Sequence, residues 1–130
     1  MPTELQIAII DDSEDYLQFI HTALRRLAEK VEVICLPNPS EAKTRLPISH
    51  VRLVLCDINF DPANERDRQG LELLKWLKEN LSGVPVVMMT RYVDQGFREE
   101  AMTLGADGFL EKPILMSQLK ELAEKYLSHE

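Results

Sequence analysis

Apolar residues along the chain fall into five short runs, each followed by a polar stretch and then, in most cases, by apolar positions spaced three or four apart. Leu5 to Ile10 (LQIAII) is nearly continuous, as expected of a strand buried on both faces of a parallel sheet. Leu17, Ile20, Leu24, Leu27 and Ala28 then recur at helical spacing, with Asp12 or Ser13 placed to cap the first turn and Glu14 and Asp15 suiting its dipole. Val31 to Leu36 (VEVICL) predicts a second strand. It leads to Asn38-Pro39-Ser40-Glu41, which supplies an N-cap, a proline at the first helical position and an acid at the third, for a short helix ending near Leu46-Pro47. Leu53 to Cys56 predicts a third strand running into Asp57. After a polar stretch, Leu71, Leu74, Leu77 and Leu81 mark a helix ending before Gly83. Val84 to Thr90 predicts the fourth strand, and Asp94 is placed to cap a weak helix that contains Gly96 and carries Phe97, Ala101 and Leu104 before Gly105. Asp107 to Glu111 predicts the fifth strand, and Leu115, Leu119, Leu122, Ala123 and Tyr126 form the apolar stripe of a closing helix.

Five strand-helix units in succession predict an α/β fold, a parallel sheet with right-handed crossovers and helices on both faces. At 130 residues the chain is expected to form a single domain over 1–130 around one sizeable core. No apolar run approaches the roughly 18 residues needed to cross a bilayer, and Met1-Pro2-Thr3-Glu4 does not open a signal stretch, so a cytoplasmic protein with no membrane partner is expected. Cys35 and Cys56 lie in apolar segments without redox or zinc spacing and are read as buried core thiols. A formal net charge of −7 without a dense cluster of Lys and Arg argues against direct nucleic-acid binding and leaves protein partners.

In open parallel sheets functional groups gather beyond the carboxyl ends of the strands. Those positions hold Asp11-Asp12, Asp57, Thr90 and Lys112-Pro113. Each has an ordinary explanation taken alone: a helix cap, a turn residue, a strand-end hydroxyl, a solvated lysine. Their coincidence at one sheet end points elsewhere. Three adjacent carboxylates repel one another, and a lysine offsets one charge of three. Mg²⁺ fits the deficit, since it favours oxygen ligands and commonly takes one or two carboxylates together with phosphate oxygens. Such a neutralised site suits phosphoryl transfer to a carboxylate, with the Thr90 hydroxyl able to donate to a phosphoryl oxygen.

The ordered set Asp11-Asp12, Asp57, Thr90 and Gly105-Ala106-Asp107-Gly108-Phe109-Leu110-Glu111-Lys112-Pro113 resembles the response-regulator receiver domain of two-component, histidine-aspartate phosphorelay signalling, over nearly the whole chain. The resemblance implies a flavodoxin-like, doubly wound five-stranded sheet of order 2-1-3-4-5. It implies that Asp57 is the phospho-acceptor and that Asp12 binds the metal directly, with Asp11 helping through water. The backbone carbonyl of Asn59 is implied as a further metal ligand, and Lys112 as the phosphate-binding lysine. Thr90 and Phe109 are the implied switch pair, with a cis bond before Pro113. The implied partners are a histidine kinase or histidine phosphotransfer protein and a downstream protein target. Thr90 and Phe109 flank a fourth helix whose Gly96 and sparse apolar stripe suggest low local stability, so the face of the fourth helix, fifth strand and fifth helix is expected to carry the signal. The domain is expected to catalyse its own phosphorylation and dephosphorylation without being a turnover enzyme.

Two features depart from the family pattern. The stretch from Ile58 to Gln69 is long and charged, and Arg91 stands after Thr90 where a small residue is more usual. Together they predict a gate in which Arg91 pairs with a loop carboxylate. Two other readings use the same residues: a phosphate-independent interaction module on this fold, and an aspartyl-phosphate phosphatase. Asp57-Ile58-Asn59 lacks the second aspartate the latter needs as acid/base. No GxxxxGK[ST] or GxGxxG supports nucleotide binding, and Gly105 and Gly108 are read as a helix stop and a turn.

Overall fold

The computed structural model describes residues 5–28, 30–93 and 95–127. Strands β1 (Leu5–Ile10), β2 (Val31–Leu36), β3 (Val51–Asp57), β4 (Val86–Thr90) and β5 (Gly108–Glu111) alternate with helices α1 (Glu14–Leu27), α2 (Pro39–Arg45), α3 (Gln69–Asn80), α4 (Phe97–Thr103) and α5 (Met116–Tyr126). All strand pairs are parallel, in the order β2-β1-β3-β4-β5. The doubly wound α/β sheet expected of the sequence is therefore present.

The continuous apolar runs arise because successive side chains point to opposite faces and both faces are covered. Ile7 and Ile9 of β1, Leu53 and Leu55 of β3 and Val87 and Met89 of β4 pack with Ile20 and Leu24 of α1 and Leu119 of α5. Ala8, Ile10, Val54, Cys56, Val86 and Met88 pack the other way, against Leu74 and Leu77 of α3 and Phe97 and Ala101 of α4. The starts of α1 and α2 follow local capping chemistry. Ser13 Oγ accepts from the Tyr16 amide, and Asn38 Oδ1 accepts from the Glu41 amide at 2.9 Å with Pro39 in the first turn. Of the two predicted caps for α1, Ser13 is the one used.

Several boundaries differ from the sequence reading. β3 starts at Val51, and Asp57 is its last residue, because Asp57 remains in register with Met89 of β4. β4 starts at Val86, since Pro85 has no amide hydrogen to enter the ladder and contributes its carbonyl to Val54 N. Gly96 lies at the N-cap of α4 with φ 73°, where its lack of a side chain permits the turn, rather than inside the helix. The capping role predicted for Asp94 falls outside the described residues. Gly108 belongs to β5 and is not a turn: a Cβ there would meet Val87 Cγ2 at 3.3 Å. Gly105, with φ 99°, does terminate α4. Leu115 is exposed at the cap of α5 and not on its buried stripe, and Ile114 takes that place in the core. Cys56 is buried, but Cys35 is only partly so.

Candidate functional site

The carboxyl ends of β1, β3, β4 and β5 converge on one cleft. Asp11 and Asp12 follow β1, Asp57 closes β3, Thr90 closes β4 and Lys112 follows β5. Parallel strands deliver these groups together although Asp11 and Lys112 are 101 positions apart. Asp11, Asp12 and Asp57 each present an oxygen within 4.8 Å of the others, a cluster suited to a divalent cation. The Lys112 Nζ lies 2.7 Å from Asp11 Oδ2 and 3.5 Å from Asp57 Oδ2, and 4.1 Å from the centre of the Tyr16 ring. The Lys112–Pro113 bond is cis, as the family resemblance implied.

Burial decides the electrostatics. Asp11 is fully buried and Asp57 is 5% exposed, while Asp12 reaches solvent. Asp11 Oδ1 accepts from the Ser13 amide at 2.9 Å, so the carboxylate is held at the helix start with its other oxygen on the lysine. Asp57 is pushed up from the usual 3.8 to about 7, first by removal from water and then by the Asp11 charge. Lys112 and the Ile58 amide, which donates to Asp57 Oδ1 at 3.0 Å, act against that rise. Asp12 is also raised, by desolvation and then by Asp11, with Lys112 and Arg91 opposing. One buried lysine thus leaves an excess of negative charge that a hard cation would relieve.

Thr90, fully buried, donates from Oγ1 to Asn59 Oδ1 at 3.0 Å and accepts from the Tyr92 amide at 3.0 Å. Its hydroxyl hydrogen is therefore directed at Asn59. Phe109 is half-buried, and the Arg98 guanidinium lies 5.0 Å from its ring centre.

The charged stretch after β3 is more ordered than its composition suggests. Gln69 already belongs to α3, so the connection is 58–68. Within it Asp61 Oδ1 accepts from Ala63 N, Asn64 Oδ1 from Arg66 N, and Asp67 Oδ2 from Phe60 N at 2.7 Å. These side chains build consecutive turns. The Asn59 amide donates to the carbonyls of Glu65 and Asp67, at 3.2 and 2.9 Å. Sequence reasoning assigned Asn59 only a backbone role. The spacing of Asn59, Asp61, Asn64 and Asp67 was the available signal for turn formation.

The cleft, of about 300 Å³, is lined by Asp12, Asp57, Asn59, Asp61 and Arg91 among others. Arg91 is exposed at its edge and, among the described residues, forms no ion pair with Asp61, Glu65 or Asp67. The ion-paired gate expected from the sequence is therefore not formed. The loop's paired arginine is Arg68, which binds Glu100 of α4 with both nitrogens.

Among the described residues no helix is long and apolar enough to cross a membrane. The response regulator receiver domain family matches residues 7–124. The chain is 29% identical over 126 residues to the transcriptional regulatory protein CrdR of Helicobacter pylori, covering 95% of this chain and 55% of that protein. It is 28% identical over 123 residues to the polar-differentiation response regulator DivK of Brucella ovis, covering 93% of this chain and 94% of that one. Other curated relatives are longer: the chain spans 27% of one from Salmonella typhimurium and 19% of one from Arabidopsis thaliana. Its fold matches that of a CheY-like receiver domain protein from Methanospirillum hungatei with a TM-score of 0.82 at 24% identity, over 95% of this chain and 93% of that one.

Proposed function

As the chain belongs to the response regulator receiver family, we propose that it accepts a phosphoryl group on Asp57 from a histidine kinase or histidine phosphotransfer protein in the cytoplasm. Phosphorylation would then change its affinity for a downstream protein. The observation that carries this reading is the convergence of buried Asp57 with the Asp11-Asp12 pair and Lys112, whose ammonium lies within reach of both Asp11 and Asp57. In the transfer a bond forms between an Asp57 carboxylate oxygen and phosphorus, and the phosphorus–nitrogen bond of phosphohistidine breaks, its electron pair returning to the imidazole.

Lys112 holds positive charge where the phosphoryl oxygens arrive, and the Ile58 amide keeps the Asp57 carboxylate oriented. Asp11, Asp12, Asp57 and the carbonyl of Asn59 would hold Mg²⁺, which when bound would bring the formal charge of the acidic cluster and lysine to zero and supply positive charge for the transferring phosphoryl group. Thr90 leaves Asn59 to donate to a phosphoryl oxygen, and Phe109 responds on the face formed by α4, β5 and α5, where the target binds. In the return step water attacks the phosphorus, the Asp57 oxygen–phosphorus bond breaks with its electron pair returning to the carboxylate, and release of inorganic phosphate resets the switch.

The test is intact mass after incubation with Mg²⁺ and acetyl phosphate. Wild type should gain one phosphoryl group, labile to base and hydroxylamine, and neither chelated protein nor Asp57→Ala should gain it. Equal labelling of Asp57→Ala would overturn the assignment, and equal labelling under chelation would remove the metal from it.

A further inference from the structure

We propose that the β3–α3 connection is a second reporter of the switch, held in its resting arrangement by Asn59 and released when the Thr90 hydroxyl turns to the phosphoryl group. The proposal rests on the phospho-acceptor reading above and adds a route from the site to α4 that does not pass through Phe109. Its basis is a chain of side-chain hydrogen bonds that runs from Thr90 through Asn59 to the connection and on to α4.

Thr90 has one hydroxyl hydrogen, and Asn59 Oδ1 receives it at 3.0 Å. Donation to a phosphoryl oxygen on Asp57 withdraws it. Asn59 is only 9% exposed, so its oxygen is then left without a donor in a poorly hydrated place, and a buried acceptor in that condition drives rearrangement. The carboxamide is planar, so turning Oδ1 toward another donor also turns Nδ2. That nitrogen holds the carbonyls of Glu65 and Asp67, which bracket the second turn of the connection.

The connection is tied outward as well as inward. Arg68 binds Glu100, and Gln95 Nε2 donates to Glu65 Oε1 at 3.2 Å, so both ends of the turn grip α4 or the segment just before it. α4 has seven residues, and its N-cap Gly96 supplies no side-chain hydrogen bond. It is therefore an element of low intrinsic stability, poised to follow the loop. From the β3 side Arg68 reaches Glu100 of α4 and Glu65 reaches Gln95 just before it, and from the β5 side Phe109 reaches Arg98 of α4.

Hydrogen exchange of the full chain tests the link in two independent arms. In the first, unmodified Thr90→Val is compared with unmodified wild type. Loss of the donor alone should speed exchange of the Phe60 and Asp67 amides by about fivefold, the factor a neutral hydrogen bond is worth. In the second, wild type shown by intact mass to carry the phosphoryl group should display the same acceleration at Phe60 and Asp67, extending to amides of α4. Asn59→Ala serves as a further variant and should match Thr90→Val in the loop. Unchanged loop exchange in Thr90→Val would overturn the proposal whatever the state of Asp57. Fully phosphorylated wild type with an unaltered loop would also overturn it, and would leave the phospho-acceptor reading intact. Failure to gain the phosphoryl mass would instead sink that reading and this proposal's second arm, which the first arm separates from the mechanical coupling.

Discussion

Replacing Asp57 with asparagine should stabilise the metal-free protein at alkaline pH. The carboxyl is raised from 3.8 to about 7, mainly by burial and then by Asp11. At about 1.4 kcal/mol per pH unit, holding that charge in the fold costs about 4 kcal/mol when the group is fully ionised. The asparagine amide keeps the Ile58 hydrogen bond through its oxygen but turns an NH₂ toward the Lys112 ammonium, which lies 3.5 Å from Oδ2 in the wild type. Allowing about 1 kcal/mol for that mismatch, a gain of about 3 kcal/mol remains.

The sign follows from proton counting. Between pH 4 and 7 the folded state keeps a proton on Asp57 that the unfolded chain has released, so wild-type stability falls as pH rises through this window. The advantage of Asp57→Asn is therefore fully present above pH 7, shrinks as pH falls from 7 toward 4, and is absent below the unfolded value. Urea denaturation with a chelator, at several pH values from 4 to 9, measures it. Added Mg²⁺ should narrow the gap at pH 8, because binding to the folded wild type adds about 1.4 kcal/mol for each tenfold excess over Kd. A variant no more stable than wild type at pH 8, or a gap independent of pH, would refute the claim that burial strains this carboxylate.

Gly70→Ala should cost about 3 kcal/mol, the upper end of overpacking penalties, since its Cβ would lie 2.0 Å from the Asp57 carbonyl oxygen and 2.4 Å from Ile58 Cα. A urea midpoint equal to that of wild type would show a looser junction between β3 and α3. Arg91→Ala should slow labelling by acetyl phosphate by about threefold at low salt, because an exposed guanidinium at the cleft edge, in no salt bridge among the described residues, attracts an anionic donor and is screened as salt rises. Faster labelling of the variant would mean that Arg91 obstructs the cleft after all.

The sequence by itself determined the architecture and which polar groups gather at the carboxyl ends of the strands. Runs such as Leu5 to Ile10 must bury both faces, and helical spacing at Ile20 and Leu24 supplies the cover, so the alternation leaves little besides a parallel sheet. A parallel sheet in turn obliges Asp11, Asp57, Thr90 and Lys112 to meet at one end, whatever their separation along the chain. Tertiary structure decided what those groups do to one another. Whether Lys112 favours Asp11 or Asp57 depends on distances of 2.7 and 3.5 Å that no spacing encodes. The rise of Asp57 depends on burial created by elements far from it in sequence. Arg91 and Arg68 look alike in the chain, but only Arg68 finds a carboxylate among the described residues, because α4 brings Glu100 to it. The Thr90 hydroxyl could be assigned to the site from its position at the end of β4, but its direction toward Asn59 Oδ1 is a choice among rotamers that only the folded β3–α3 connection, which places Asn59 there, decides.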